Sequence, residues 1–162
     1  MNSTTTTTTR RTTQGEAGRA HAVCAIHGIP HTRLSNRVPA EGGLSPRQAL
    51  RQDAIVLAGH ECPYCGSELR TEASEGEQGF AEADRFVDGC TYNAGNVVPA
   101  CYDCNRTRSD KHPLSVAKDP ARLAKYVRAM LAKGATLRDP KGYATEQRAA
   151  AAAMLAEIEA AC

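Results

Sequence analysis

Apolar residues recur at helical spacing in three segments of this chain, and each segment has a recognisable start. The first follows Ser45-Pro46, because serine is a good N-cap and proline suits the first helical position. The second follows Asp119-Pro120 in the same way and stops at Gly134. The pattern predicts helices over residues 46–57 and 120–134. The apolar positions are Ala49, Leu50, Ala54 and Leu57 in the first helix and Leu123, Val127, Met130 and Leu131 in the second.

A third helix is predicted from the Thr145 cap, after the turn at residues 139–142, to about Ala160. Its apolar stripe is thin, with Leu155 and Ile158 among many alanines. A stripe this narrow suits packing on the preceding helix, or contact with a second copy of the chain or with another protein.

The middle of the chain favours a β-hairpin. Phe86-Val87 and Val97-Val98 are short apolar pairs that favour strands. Between them lies the turn-rich segment of residues 93–96. Together with the helices, this predicts an α+β chain in which a small core is flanked by helices.

Composition divides the chain into four stretches. Residues 1–20 contain a threonine run and no periodicity, which is typical of a disordered tail. Residues 21–59 are predicted to form an N-terminal loop and helix, residues 60–112 a central core, and residues 113–162 the C-terminal helices. Aromatic residues make up only 4% of the chain, so the apolar core is expected to be modest. No stretch approaches the roughly 20 apolar residues of a membrane helix, and no signal core opens the chain.

The net charge of +2 does not by itself indicate a nucleic-acid partner, and its distribution is uneven. Residues 1–59 carry seven Arg and three acids, a charge of +4, whereas residues 60–118 carry six basic and ten acidic side chains, a charge of −4. Residues 119–162 carry seven basic and five acidic side chains, a charge of +2. Any contact with DNA must therefore come from individually placed residues or from the flanks.

Seven cysteines in a chain without a signal core indicate metal binding before disulfides. Cys62 and Cys65 form one C-x-x-C knuckle, and Cys101 and Cys104 form a second, with 35 residues between them. Two knuckles complete a tetrahedral, structural zinc site. Gly66 supplies the positive φ that the knuckle turn favours. Buried free thiols or a redox pair are the alternatives.

The spacing of cysteine and histidine near the N-terminus offers a second candidate metal site. Cys24, His27 and His31 have ligand-like spacing, and Cys90 is the nearest candidate for a fourth ligand. Cys162, at the end of the chain, has no predicted role.

Between the knuckles, and just after the second one, lie Asp84, Arg85, Asp88, Gly89, Tyr92, Asn96, Val97 and Asn105. With these residues and the two knuckles, residues 60–112, about a third of the chain, resemble the HNH, or ββα-metal, endonucleases of phages and bacteria. The resemblance implies that Asp84 is the metal-binding acid and that Asn105 is a metal ligand on the helix. It also implies that Asn96 braces the loop that positions the general base. Arg85 stands where this family has its base histidine.

Arg85 is the departure from the family pattern. A guanidinium stays protonated at physiological pH and accepts no proton from water, so Arg85 is expected to stabilise charge instead. The Asp84-Arg85 pair is similar to the Asp-Arg pattern of a phage subgroup of this family. If the chain cuts DNA, the candidate substitute bases are His60, Tyr92 and His112.

The residues also make chemical sense without the resemblance. Carboxylate and amide oxygens suit Mg²⁺ or Mn²⁺, so Asp84 and Asn105 are a candidate catalytic metal pair. Arg106, Arg108 and Lys111 lie along the helix that starts at the second knuckle, where they are predicted to contact DNA phosphates or to form an ordinary solvated face.

The leading hypothesis is therefore a metal-dependent DNA endonuclease or nickase, acting in the bacterial cytoplasm and encoded by a phage. The alternatives are a zinc-containing module that binds nucleic acid without cutting it, and a zinc domain that binds a phage or host protein.

Overall fold

The structure is a computed structural model that describes residues 46–90, 92–135 and 143–162. It combines helices with a two-stranded antiparallel sheet, which agrees with the predicted α+β class. The elements are α1 (Pro46–Leu57), β1 (Ala81–Arg85), β2 (Val97–Cys101), α2 (Tyr102–Arg108), a 3₁₀ turn (Pro113–Ser115), α3 (Pro120–Gly134) and α4 (Tyr143–Ala160).

The helices α1 and α3 have the predicted bounds. The predicted cap of α3 is formed, because Asp119 Oδ1 accepts a hydrogen bond from Arg122 N at 3.1 Å. The start predicted for the last helix was wrong by three residues, since α4 begins at Tyr143 and not directly after Thr145.

The second strand of the hairpin lies where it was predicted, but the first strand lies earlier in the chain than predicted. Val97 and Val98 lie in β2, but β1 ends at Arg85, so the strand predicted at Phe86-Val87 is wrong. Phe86 N still donates to Asn96 O at 3.0 Å. Beyond it, Val87 N donates to the side-chain Oδ1 of Asn96 at 2.7 Å, and Asn96 Nδ2 donates to Val87 O at 3.1 Å. A side chain therefore replaces the next step of the ladder.

The hairpin lies between α1 and α2, which contact opposite faces of it. Leu50 and Ala54 of α1 pack against Ala83 and Val97. The helix α2 contacts the other face of β1 through polar side chains described below. The helix α3 is tied to β2 by a hydrogen bond from Tyr126 Oη to Val97 O at 2.5 Å.

The helices α3 and α4 pack against each other. Ala151 and Ile158 of α4 are fully buried in the same core cluster as Leu123 and Met130 of α3. The thin apolar stripe of α4 is thus used within the chain, as one of the two predictions proposed. Among the described residues, none of the helices has the length and apolar character that crossing a membrane requires.

Candidate metal centre and adjoining polar cluster

The four cysteines of the two knuckles come together at one point. Their Sγ atoms all lie within 4.8 Å of one another, and Cys65 Sγ is 3.6 Å from Cys101 Sγ. Zinc–sulfur bonds of about 2.3 Å in a tetrahedron separate the sulfurs by about 3.8 Å, so the spacing suits such an ion. None of the four is in a disulfide. The donor set of Cys62, Cys65, Cys101 and Cys104 therefore fits a metal ion such as zinc.

Local backbone geometry aims these thiols. In the first knuckle, Gly66 N donates to Cys62 O, and Cys62 N donates to Ser67 O, both at 2.8 Å. Gly66 has a φ of +81°, which confirms the predicted positive φ. In the second knuckle, Cys101 ends β2 and Cys104 lies one turn into α2, so the junction of strand and helix presents both sulfurs.

The thiols differ in their affinity for a proton. Burial raises the pKa of Cys62 to about 11 and also raises the pKa of Cys104. Burial opposes ionisation of Cys65 too, but hydrogen bonds with Ser67 lower its pKa to about 7. Because metal binding requires thiolates, loading this cluster releases protons.

Next to the first knuckle lies a buried network of charged and polar side chains. Asp84 Oδ2 accepts a hydrogen bond from Tyr64 Oη, and Asp84 Oδ1 accepts one from Arg108 Nη1, both at 2.7 Å. Arg108 Nη2 donates to Asp88 Oδ2 at 3.1 Å and to Phe86 O at 3.0 Å. Burial raises the pKa of Asp84 to about 6, against the opposing effects of Arg108 and Tyr64. The network joins the knuckle, the hairpin and α2.

Arg108 is a correction to the predicted DNA-binding set. Its side chain is 1% exposed, so it cannot reach the phosphates of a DNA molecule in solution. The physical reason is that its guanidinium neutralises the buried carboxylate of Asp84 and the partly buried carboxylate of Asp88. Arg106 and Lys111 are exposed. Arg106 bonds the hydroxyl of Tyr102 and lies 5.2 Å from the centre of its ring.

Asn105 and Asp84 lie on facing elements but contact different partners. Asn105 Nδ2 donates to a carboxylate oxygen of Glu82, while Asp84 pairs with Arg108. Residues two apart share a face of a strand, and residues three apart share a face of a helix, so α2 contacts β1 at two successive positions. Glu82 was missed in the sequence, although its position two residues before Asp84 placed it on the same face of any strand there.

Two kinds of donor thus lie side by side: the soft thiolates of the cysteine cluster, and the hard oxygens of Glu82, Asp84 and Asn105. No protein-family model, curated protein or solved structure matches this chain.

Arg85 lies on the face of β1 opposite Asp84, because neighbouring strand residues alternate. Its guanidinium is 5.3 Å from the centre of the Tyr92 ring, and Tyr92 packs on the cluster that includes Ala54 and Ala83. The structure thus places two of the predicted catalytic residues, Asp84 and Arg85, on different faces. Asn96, predicted to brace the loop, makes the two hydrogen bonds to the backbone of Val87 described above.

The two candidate histidines lie at the ends of the predicted core. His60 is exposed and lies two residues before Cys62, the first cysteine of the first knuckle. His112 Nδ1 accepts a hydrogen bond from Leu114 N at 3.3 Å, and its Nε2 lies 3.4 Å from Glu157 Oε2. Neither histidine shares a hydrogen bond or ion pair with Asp84 or Asn105 in the described part of the chain.

Of the predicted second metal site, the structure describes Cys90 alone, and this residue does not support the site. Cys24, His27 and His31 lie outside the described residues. Cys90 is buried and disulfide-bonded, so it offers no free thiolate. Across residues 46–90, 92–135 and 143–162, His, Cys, Asp and Glu gather into a metal-sized group of three or more at the cysteine cluster and nowhere else.

Proposed function

We propose that this chain is a zinc-stabilised, metal-dependent DNA endonuclease of the HNH type. The observation that carries the proposal is the contact of α2 with the face of β1 that bears two carboxylates. Asn105 meets Glu82 there, and Asp84 lies two residues further along the strand. The order of strand, strand and helix, with the helix starting at the second knuckle, agrees with the ββα arrangement that the resemblance implies.

The oxygen donors at this interface suit a hard divalent cation. Glu82 and Asn105 are partly exposed, so they are open to an ion from solvent, whereas Asp84 is 6% exposed. We assign Glu82 and Asn105, with Asp84 behind them, as the residues that would hold Mg²⁺ or Mn²⁺. Such an ion, when bound, supplies positive charge beside a scissile phosphate.

The chain's own residues supply the contacts with DNA in this proposal. Arg106 lies one residue from Asn105 on the exposed side of α2, and Lys111 follows the helix. Both side chains are exposed, so they can contact phosphates next to the cut position. The four-cysteine zinc site has no open position, so it holds the fold and takes no part in cleavage.

A non-catalytic nucleic-acid-binding module is the second candidate, and one observation favours it. Both oxygens of Asp84 are bonded within the protein, and Arg85 beside it faces Tyr92. Among the described residues, Asp84 is thus not paired with a side chain that would accept a proton from water. The exposed side chains of Arg106 and Tyr102, by contrast, are suited to contact phosphates and bases.

The test is nicking of supercoiled plasmid by zinc-loaded protein, with and without added Mg²⁺ or Mn²⁺. The divalent ion is omitted rather than chelated, so that the cysteine cluster stays loaded. Asn105→Ala is the informative variant because Asn105 is partly exposed, whereas loss of the buried Asp84 also affects folding. Asn93→Ala, in the hairpin loop, is the matched control.

The endonuclease proposal predicts ion-dependent nicking that falls on the order of a hundredfold in Asn105→Ala, as when one contact to the transition state is removed. Asn93→Ala should keep the wild-type rate. DNA binding without nicking, together with a gain of nicking in Arg85→His, would support the binding module with a lost base. A chain that neither binds nor nicks DNA contradicts both candidates.

A further inference from the structure

The side chain of Arg122, in the first turn of α3, lies across the first knuckle. Its Nε is 3.7 Å from Glu61 Oε2. A Cβ built on Gly66 would lie 2.8 Å from Nη1 and 2.9 Å from Cζ of Arg122, so the guanidinium rests directly on that glycine. Glu61 precedes Cys62 and Gly66 follows Cys65. One guanidinium therefore contacts both ends of the knuckle.

Contacts at the start of α3 hold the side chain of Arg122 in this position. The α3 cap, Asp119, accepts a hydrogen bond from Arg122 N at 3.1 Å, and its Oδ2 lies 3.4 Å from Arg122 Nη2. Directly before the cap, Lys118 N donates to Tyr64 O, inside the knuckle, at 2.7 Å. The start of α3 is thus docked on the knuckle at two separate points.

We propose that Arg122 is an outer-sphere residue of the metal centre, which clamps the first knuckle and offsets the charge of the thiolates. Four thiolates around Zn²⁺ carry a net charge of about −2, and two of these cysteines, Cys62 and Cys104, are buried. A guanidinium stays charged at any physiological pH, so its stabilisation of the loaded centre is permanent. This inference goes beyond the proposed endonuclease and does not depend on it.

Arg122 also links the metal centre to the C-terminal helices. The backbone of Arg122 lies in α3 and its side chain contacts the first knuckle. Local unfolding of either element therefore weakens the other. Partners of metal ligands outside the first coordination shell are worth about 10- to 100-fold in metal affinity when they are replaced. The same range is expected for Arg122, toward the lower end because it is 34% exposed.

The experiment measures the rate at which zinc passes from the full-length protein to a chromogenic chelator at fixed pH and low salt. Arg122→Met keeps the packing stem without the charge, and Arg122→Lys keeps the charge without the planar fork. Arg128→Met is the matched control, because Arg128 lies on the same helix and pairs with Glu159, away from the knuckle. Melting temperatures of all variants are recorded in parallel.

We expect Arg122→Met to release zinc about tenfold faster than wild type, Arg122→Lys to fall between the two, and Arg128→Met to match wild type. Release at the wild-type rate from Arg122→Met would overturn the proposal. Equal rates from Arg122→Met and Arg122→Lys would overturn the role of charge.

A second measurement needs no neutral variant to fold. Raising the salt from about 0.05 M to about 0.5 M screens a partly exposed guanidinium, so wild type and Arg122→Lys should both release zinc faster at high salt. A rate that does not change with salt would contradict a stabilising charge at this position.

Discussion

Arg108 and Asp84 form a buried ion pair, with Arg108 Nη1 2.7 Å from Asp84 Oδ1 and side chains that are 1% and 6% exposed. The pair joins the last residue of α2 to β1, the strand that precedes the hairpin loop. Tyr64, inside the first knuckle, completes it by donating to the other oxygen of Asp84. Arg108, which the sequence pattern predicted on a DNA-binding surface, thus pairs with a carboxylate in the core.

Replacing Arg108 by Ala should therefore lower the free energy of unfolding by about 3–5 kcal/mol, because it leaves the Asp84 carboxylate buried without its partner. Arg106→Ala, two residues away on the exposed side of the same helix, should change it by less than about 0.5 kcal/mol. Denaturant unfolding of both zinc-loaded variants tests this. Equal stability of the two would show that Arg108 is not structural.

The amide of Asn96 should be among the least replaceable groups of the hairpin. It is fully buried and makes two hydrogen bonds to the backbone of Val87, at 2.7 and 3.1 Å. Asn96→Ala leaves both backbone groups unpaired, so we expect a loss of about 2 kcal/mol or more.

Asn93→Ala is the control for that prediction. Asn93 is only partly buried; its Oδ1 accepts from Gly95 N at 2.9 Å, and its Nδ2 donates to Gln147 Oε1 at 2.6 Å. Both hydrogen bonds are only partly buried, so water can replace much of what Asn93→Ala removes. A loss of about 1 kcal/mol is expected. The interpretation of Asn96 as the brace is contradicted if thermal unfolding ranks the two variants in the opposite order.

Gly134 and Gly95 bring the end of α3 and the hairpin loop into backbone contact. A Cβ on Gly134 would lie 2.5 Å from Gly95 Cα, which is closer than such atoms can approach. Replacing a helical glycine by alanine ordinarily stabilises by about 1 kcal/mol. Here we expect the opposite sign, a destabilisation of about 1–3 kcal/mol from overpacking. A Gly134→Ala variant that melts above wild type would contradict this close packing.

The sequence was most informative where signals are local. The caps Ser45-Pro46 and Asp119-Pro120 predict α1 and α3 because a cap and a proline act within one turn. The knuckles were equally readable, since two C-x-x-C pairs have one common use in a chain of this kind.

The sequence was least informative where a distant partner decides. The strand Ala81–Arg85 has no β-branched residue, and it becomes a strand because β2 pairs with it. Phe86-Val87 has the propensity, but at Val87 the side chain of Asn96 takes the place of a paired strand. Arg108 has the composition of a solvated helix face, and its burial depends on Asp84, 24 residues earlier. Neither outcome is encoded within a few residues of the position concerned.

Every proposal for this chain depends on a metal ion in the four-cysteine cluster. Native mass spectrometry of protein purified without added metal measures that ion directly, with Cys101→Ser as the comparison. We predict one zinc per chain in the wild type and loss of both the zinc and the folded charge-state distribution in Cys101→Ser, because metal binding supplies on the order of 10 kcal/mol of folding free energy. A wild-type chain that is folded and free of metal would contradict the account.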